Sequence, residues 1–170
     1  ERGIERILDV KDLYDGIKDY MDKEVTLQGW IKNHRKQKEF GFIDFSDGTS
    51  FKHVQLVYDN SLEEFDEIAK LHIGCAITVT GTIIKSEGAG QDFELKVKSI
   101  KLEGDCPEDY PIQPKRHSNE FLREMAYLRP RTNLFNAVFR VRSVAAQAIP
   151  EYFQSNNYVY FHSPIIPGAD

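Results

Sequence analysis

The chain has 170 residues, of which 41% are hydrophobic and 29% charged, while Gly and Pro together supply only 18. That balance excludes a disordered or fibrous protein and leaves room for one large domain, or one small domain with part of another. Its 27 acidic and 22 basic residues give a net charge of −5, which argues against a protein that coats nucleic acid indiscriminately but not against a local basic groove. The most apolar stretch, Cys75-Ala76-Ile77-Thr78-Val79-Thr80-Gly81, falls far short of the roughly 20 apolar residues of a membrane span. Glu1-Arg2-Gly3-Ile4-Glu5-Arg6 alternates charges where a secretory signal would be apolar, and the absence of an initiating Met suggests a trimmed or processed start. Cys75 and Cys106 are far apart and form no Cys-x-x-Cys pair. No disulfide framework or zinc knuckle is expected, and a reducing, cytoplasmic setting is.

In chain order, Asp9 is placed to cap a helix over 10–21 with Val10, Leu13, Ile17 and Tyr20 on one face. Residues 25–31 alternate in the period of a strand, and Gly29 inside the run suggests a bulge or a close backbone approach. Residues 32–38, Lys-Asn-His-Arg-Lys-Gln-Lys, read as a charged loop. Strands are expected at 40–45 and 53–58, joined through the turn Ser46-Asp47-Gly48-Thr49. An acidic helix follows, with Ser61 as its cap and Glu64 completing a capping box. Two further strands near 75–84 and 93–102 flank Ser86-Glu87-Gly88-Ala89-Gly90-Gln91, which joins two strands and opens no helix, so it is not a phosphate-binding loop. Three strands, a helix and two strands is the order of a five-stranded OB-fold barrel. Residues 1–104 are therefore assigned to such a barrel and 105–117, rich in Pro and charge, to a linker or hinge. Residues 118–170 turn helical, with Thr132 capping a stripe of Leu134, Val138, Val141, Ala145, Ala148 and Tyr152. Pro150 is expected to kink or break that helix, and residues 158–166 to form a short strand.

The chemistry lies around the first two strands. Lys32, Arg35, Lys36 and Lys38 crowd next to the aromatics Trp30, Phe40, Phe42 and Phe45. Cations neutralise phosphates and exposed rings stack on unpaired bases. In an OB-fold pairing, Arg35, Phe42 and Gln55 converge on one concave face. The ring is then a platform, the Gln amide both donates to and accepts from a base edge such as that of uracil, and the guanidinium forks onto a carbonyl or phosphate. Each residue also has a plain structural reading, a ring in the core or a charged loop in solvent, and Trp30 reads as the foremost core ring. The five histidines show no metal-ligand spacing, so no metal site is assigned.

The last third carries a resemblance. Arg116-His117-Ser118-Asn119-Glu120-Phe121-Leu122-Arg123-Glu124 and Tyr127-Leu128-Arg129-Pro130-Arg131-Thr132-Asn133 closely resemble the asparaginyl-tRNA synthetase family. The segment from Tyr158 through Pro164 to Ile166 looks like motif 1 of class II aminoacyl-tRNA synthetases, and Gly29-Trp30-Ile31 to Asp44 resembles the anticodon-binding barrel of the aspartyl, asparaginyl and lysyl subgroup. The resemblance implies an OB-fold that binds the anticodon loop of tRNA, followed by the opening helix and strand of a class II catalytic domain. Phe42 would stack on the middle anticodon uridine, Gln55 read its edge and Arg35 contact the anticodon bases, with Lys32, Lys36 and Lys38 on phosphates. The motif 1 helix with Tyr158, Phe161 and Pro164 would build a homodimer interface. Asparagine activation would use ATP and magnesium in the full-length enzyme. Motifs 2 and 3 do not occur here, so the chain is expected to bind tRNA without catalysing, and no catalytic residue is assigned. The alternatives are an aspartyl-tRNA synthetase and a freestanding OB-fold module for single strands.

Overall fold

The computed structural model describes residues 7–88 and 90–163, and the chain divides into two units, residues 1–116 and 117–170. The first unit is a closed five-stranded barrel, β1 Glu24–Lys36, β2 Phe40–Ser46, β3 Val54–Asp59, β4 Ala76–Lys85 and β5 Phe93–Gly104, in the order β1-β2-β3-β5-β4. All neighbours are antiparallel except β3 and β5, which close the barrel in parallel through Leu56↔Leu95 and Val57↔Lys96. Alternation sends Val25, Leu27 and Ile31, Ile43 and Phe45, Val54, Leu56 and Tyr58, Ile77, Val79 and Ile83, and Phe93, Leu95 and Val97 into the core. Closure leaves no barrel edge open to another chain.

The helical expectations need correction. The run over 10–21 splits into α1 (Val10–Asp15) and α2 (Ile17–Tyr20) at Gly16, whose lack of a Cβ weakens helix propagation. Asp9 makes no capping bond. The first amides are capped from the β2–β3 turn instead: Val10 N–H donates to Asp47 Oδ2 at 2.7 Å and Lys11 N–H to Thr49 Oγ1 at 3.0 Å. The acidic helix is a single turn, α3 Phe65–Ile68. Ser61 does not cap it, because its amide and hydroxyl both turn to the Asp59 carboxylate, a local bond that competes with helix initiation. Cys106 is buried with the core and Tyr110 packs against it, so this part of the Pro-rich segment adds to the barrel's packing.

In the second unit, α4 (Asn119–Glu124) is capped by Ser118, whose Oγ accepts from Phe121 N–H at 3.2 Å. A 3-10 turn at Arg129–Arg131 leads into α5, Asn133–Ser155. The Arg129 guanidinium lies over the rings of Phe135 and Phe139, 5.0 and 5.5 Å from their centroids, and ties the turn to the helix. Thr132 stands at the cap position, but its hydroxyl donates back to the Arg129 carbonyl at 2.7 Å rather than accepting from the helix. The expected break at Pro150 does not occur: the helix runs on to Ser155, at the cost of the one bond proline cannot donate. Residues 158–163 form no strand, and the rest of the expected strand, with Pro164, lies outside the described residues. Among the described residues no helix is long and apolar enough to cross a membrane.

Candidate nucleic-acid interface

The segment 32–38 is not the loop its charge suggests. β1 continues to Lys36 and turns only at Gln37–Glu39 into β2, so Arg35 and Lys36 stand on opposite sides of a hairpin while Lys38 lies in its turn. The decisive feature is a register shift between Ile31 and Asn33, which leaves Lys32 as the extra residue. Up to Ile31 the odd positions of β1 point inward. Beyond the bulge the parity reverses, so His34 turns into the barrel and Arg35 outward.

Arg35 then pairs with Phe42, and Phe42 with Val57, while Asn33 pairs with Asp44 and Asp44 with Gln55. The structure thus brings Arg35, Phe42 and Gln55 to one outer face. The Phe42 ring is half-buried, with the Arg35 guanidinium 5.2 Å from its centroid and Phe40 edge-on at 5.5 Å. Arg35 Nη2 donates to Gln55 Oε1 at 2.9 Å, and Gln55 Nε2 donates to Glu94 Oε1 at 3.0 Å. The same carboxylate oxygen accepts from Ser86 Oγ at 2.6 Å and Gln91 Nε2 at 2.8 Å. The amide is therefore oriented before any ligand arrives, yet it keeps one N–H and one lone pair for a base edge.

Lys36 and Lys38 are exposed at the hairpin end, Lys36 on the His34 side rather than with Arg35, and Lys32 is half-buried at the bulge. Lys36 therefore does not share the Phe42 face, whereas the exposed Lys96 of β5 lies in the same outer row, across from Phe42 through Val57. His34 is held from two directions. Its Nδ1–H donates to the Leu71 carbonyl at 3.0 Å, which leaves Nε2 to accept from Tyr58 Oη at 2.7 Å. Burial pushes its pKa below the ordinary 6.5, with Lys36 and His72 acting the same way against the Leu71 bond.

Two further groups complete the face. Glu94 is outward by the alternation Phe93-Glu94-Leu95, but only the parallel closure of β3 on β5 sets it beside Gln55, and no sequence pattern announces that closure. His53 donates from Nδ1 to both Asp44 oxygens at 3.0 Å, and Tyr14 Oη donates to the His53 carbonyl at 2.7 Å. Trp30, expected in the core, is 43% exposed. A concavity of about 360 Å³ away from this face is lined by Glu64, Glu67 and Asp105 against Lys70 and His72, around Ile68, Leu71 and Leu102, and its acidic excess disfavours a polyanion.

A half-buried ring, an oriented amide and a guanidinium thus share one outer face of a closed five-stranded barrel with OB-fold topology. Residues 25–103 match the family of OB-fold nucleic acid binding domains, and the barrel belongs to it. Over 164 residues, 96% of its length, the chain is 50% identical to an asparagine--tRNA ligase of Acholeplasma laidlawii. The fold recurs in the crystal structure of asparaginyl-tRNA synthetase from Pyrococcus horikoshii (TM-score 0.80, 22% identity, 95% of this chain and 38% of that one). It recurs equally in a putative aspartyl-tRNA synthetase from Leishmania major (TM-score 0.85, 20% identity, 99% and 36%). Fold alone does not separate the two; sequence identity does, and the chain is a segment of the asparaginyl-tRNA synthetase family. It spans about a third of the length of those relatives, 35%.

Proposed function

We propose that the barrel binds the anticodon loop of a tRNA and reads its middle base, a uridine, splayed onto the Phe42 ring. The observation that carries this reading is the convergence of Phe42, Arg35 and Gln55 on one outer face. Phe42 supplies the stacking plane. Gln55 donates its free N–H to a base carbonyl and accepts the ring N–H, a pairing a cytosine edge does not offer in the same sense. Arg35 holds the amide oxygen and adds charge next to the base. Lys32, Lys36 and Lys38 neutralise backbone phosphates.

The whole protein, on this reading, ligates asparagine to its tRNA in the cytoplasm with ATP and magnesium. Among the described residues no group of three His, Cys, Asp or Glu side chains could hold a metal ion, and no step of that reaction is assigned to residues of this segment. The apolar face of α5, with Tyr158, Phe161 and Pro164 after it, is assigned to a homodimer interface; Tyr158 and Phe161 are exposed.

Replacing the ring tests the reading. Phe42→Ala is expected to weaken binding of an anticodon stem-loop by about 1–3 kcal/mol through lost stacking, measured by fluorescence anisotropy, with an unchanged melting profile. Loss of folding in place of loss of binding would make the ring a core residue.

A further inference from the structure

The exposed Trp30 calls for an explanation. It sits at the centre of β1, where the strand passes from one partner to the other: Trp30 pairs with Ser46 of β2 and with Ala76 of β4. Both neighbours are small, so neither covers the indole. Just before it, a Cβ on Gly29 would lie 2.5 Å from the Ser46 carbonyl oxygen and 2.7 Å from the Phe45 ring. The absent side chain lets β1 press onto β2 there, with Phe45 filling the core beneath and Trp30 left on the outside. Among the described residues no hydrogen bond or ring contact engages the indole. A large aromatic group kept outward, flanked by small side chains and with its N–H unused, is poorly explained by packing.

The register places Trp30 relative to the proposed base site. Arg35 and Phe42 form one outer row, Asn33, Asp44 and Gln55 the next, and Trp30 and Ser46 the one after. From Phe42 to Ser46 is four residues along β2, about 14 Å at the usual rise of a strand. Between the two rings lies a row of amide and carboxylate groups suited to hydrogen bonding a base edge.

We infer that Trp30 is a second stacking platform for an unpaired RNA base, two nucleotides along the strand from the one on Phe42. This rests on the anticodon reading and adds to it a contact with a nucleotide adjoining the triplet. Stacking on every base is available to an indole, so this contact contributes affinity and sets the path of the loop across the barrel, whereas Gln55 supplies identity.

Trp30 is the only tryptophan of the chain, so its own emission reports the contact. The chain is titrated with an anticodon stem-loop while anisotropy of a label on the RNA stem measures binding separately. The expected result is quenching of Trp30 with the same midpoint as the anisotropy change. Trp30→Ala should weaken binding roughly five- to hundredfold, and Trp30→Phe, which keeps a ring and the fold, much less. An abasic substitution at one of the two nucleotides adjoining the triplet should remove the quenching. Unchanged emission at saturating RNA, wild-type affinity in Trp30→Ala, or quenching that survives abasic substitution at both positions overturns the second platform and leaves the Phe42 site standing. An RNA that produces no anisotropy change overturns the anticodon reading itself.

Discussion

His34 faces into the barrel one position before the outward Arg35, bonded to β3 through Tyr58 and to the chain after α3 through Leu71. Its neutral form satisfies both partners, and burial disfavours the charged one. The sign of the pH effect follows. Below the ordinary histidine pKa of 6.5 the unfolded chain takes up a proton that the folded chain resists. Stability contributed by neutral His34 is full above that value, falls as pH drops toward the lowered folded pKa, and levels off beneath it. Urea denaturation from pH 7.5 down to about 5.5 should therefore show a loss of stability that His34→Gln makes shallower; equal slopes in the two proteins would contradict it. Gln55 was legible as an outward residue, since Val54 and Leu56 on either side are core. Trp30 was legible too: with Leu27 and Ile31 inward, its even position points outward, and only its size argued for the core.

The first two strands decide the site, and they also mark where sequence reading runs out. Alternation locates the five strands because most inward positions carry a large aliphatic or aromatic group, with Gly29, Gly41 and Gly81 as the exceptions, although β1 runs on past Ile31 to Lys36. It does not reveal the bulge at Lys32, since a single inserted residue in a run of charges leaves no apolar pattern to break. Without that bulge Arg35 would point away from Phe42. Charge likewise disguised the end of β1 as a loop. The short helices were overread because Gly16 interrupts one and the Asp59 carboxylate takes the Ser61 hydroxyl from the other. At the far end of the hairpin Gly41 pairs with Tyr58, and a Cβ there would lie 2.3 Å from the Tyr58 ring and hydroxyl. Gly41→Ala should cost about 1–3 kcal/mol through overpacking and should cost less in a Tyr58→Ala background, where the obstructing ring is gone. Additive losses in chemical denaturation of the two single variants and the double variant would refute this coupling.

For the molecule as a whole, the two units have opposite problems of burial. The barrel closes on its own core. Helix α5 contributes no buried residue, with Val141 at 68% and Tyr152 at 65% exposed along its apolar stripe. An apolar face of that extent seeks a partner, so the chain should associate with rising concentration, and Val141→Glu should shift it toward monomer. Sedimentation velocity that finds a monomer across the micromolar range would contradict this. The proposed binding rests on base identity at the barrel face rather than on overall charge, for the chain carries a net charge of −5. Its most direct test compares, by anisotropy at fixed salt, two anticodon stem-loops that differ only in carrying uridine or cytidine at the middle position. Tighter binding of the uridine form by about tenfold or more, with the difference abolished in Gln55→Ala, is the predicted result; equal affinity for the two loops would show a barrel that binds single strands without reading them.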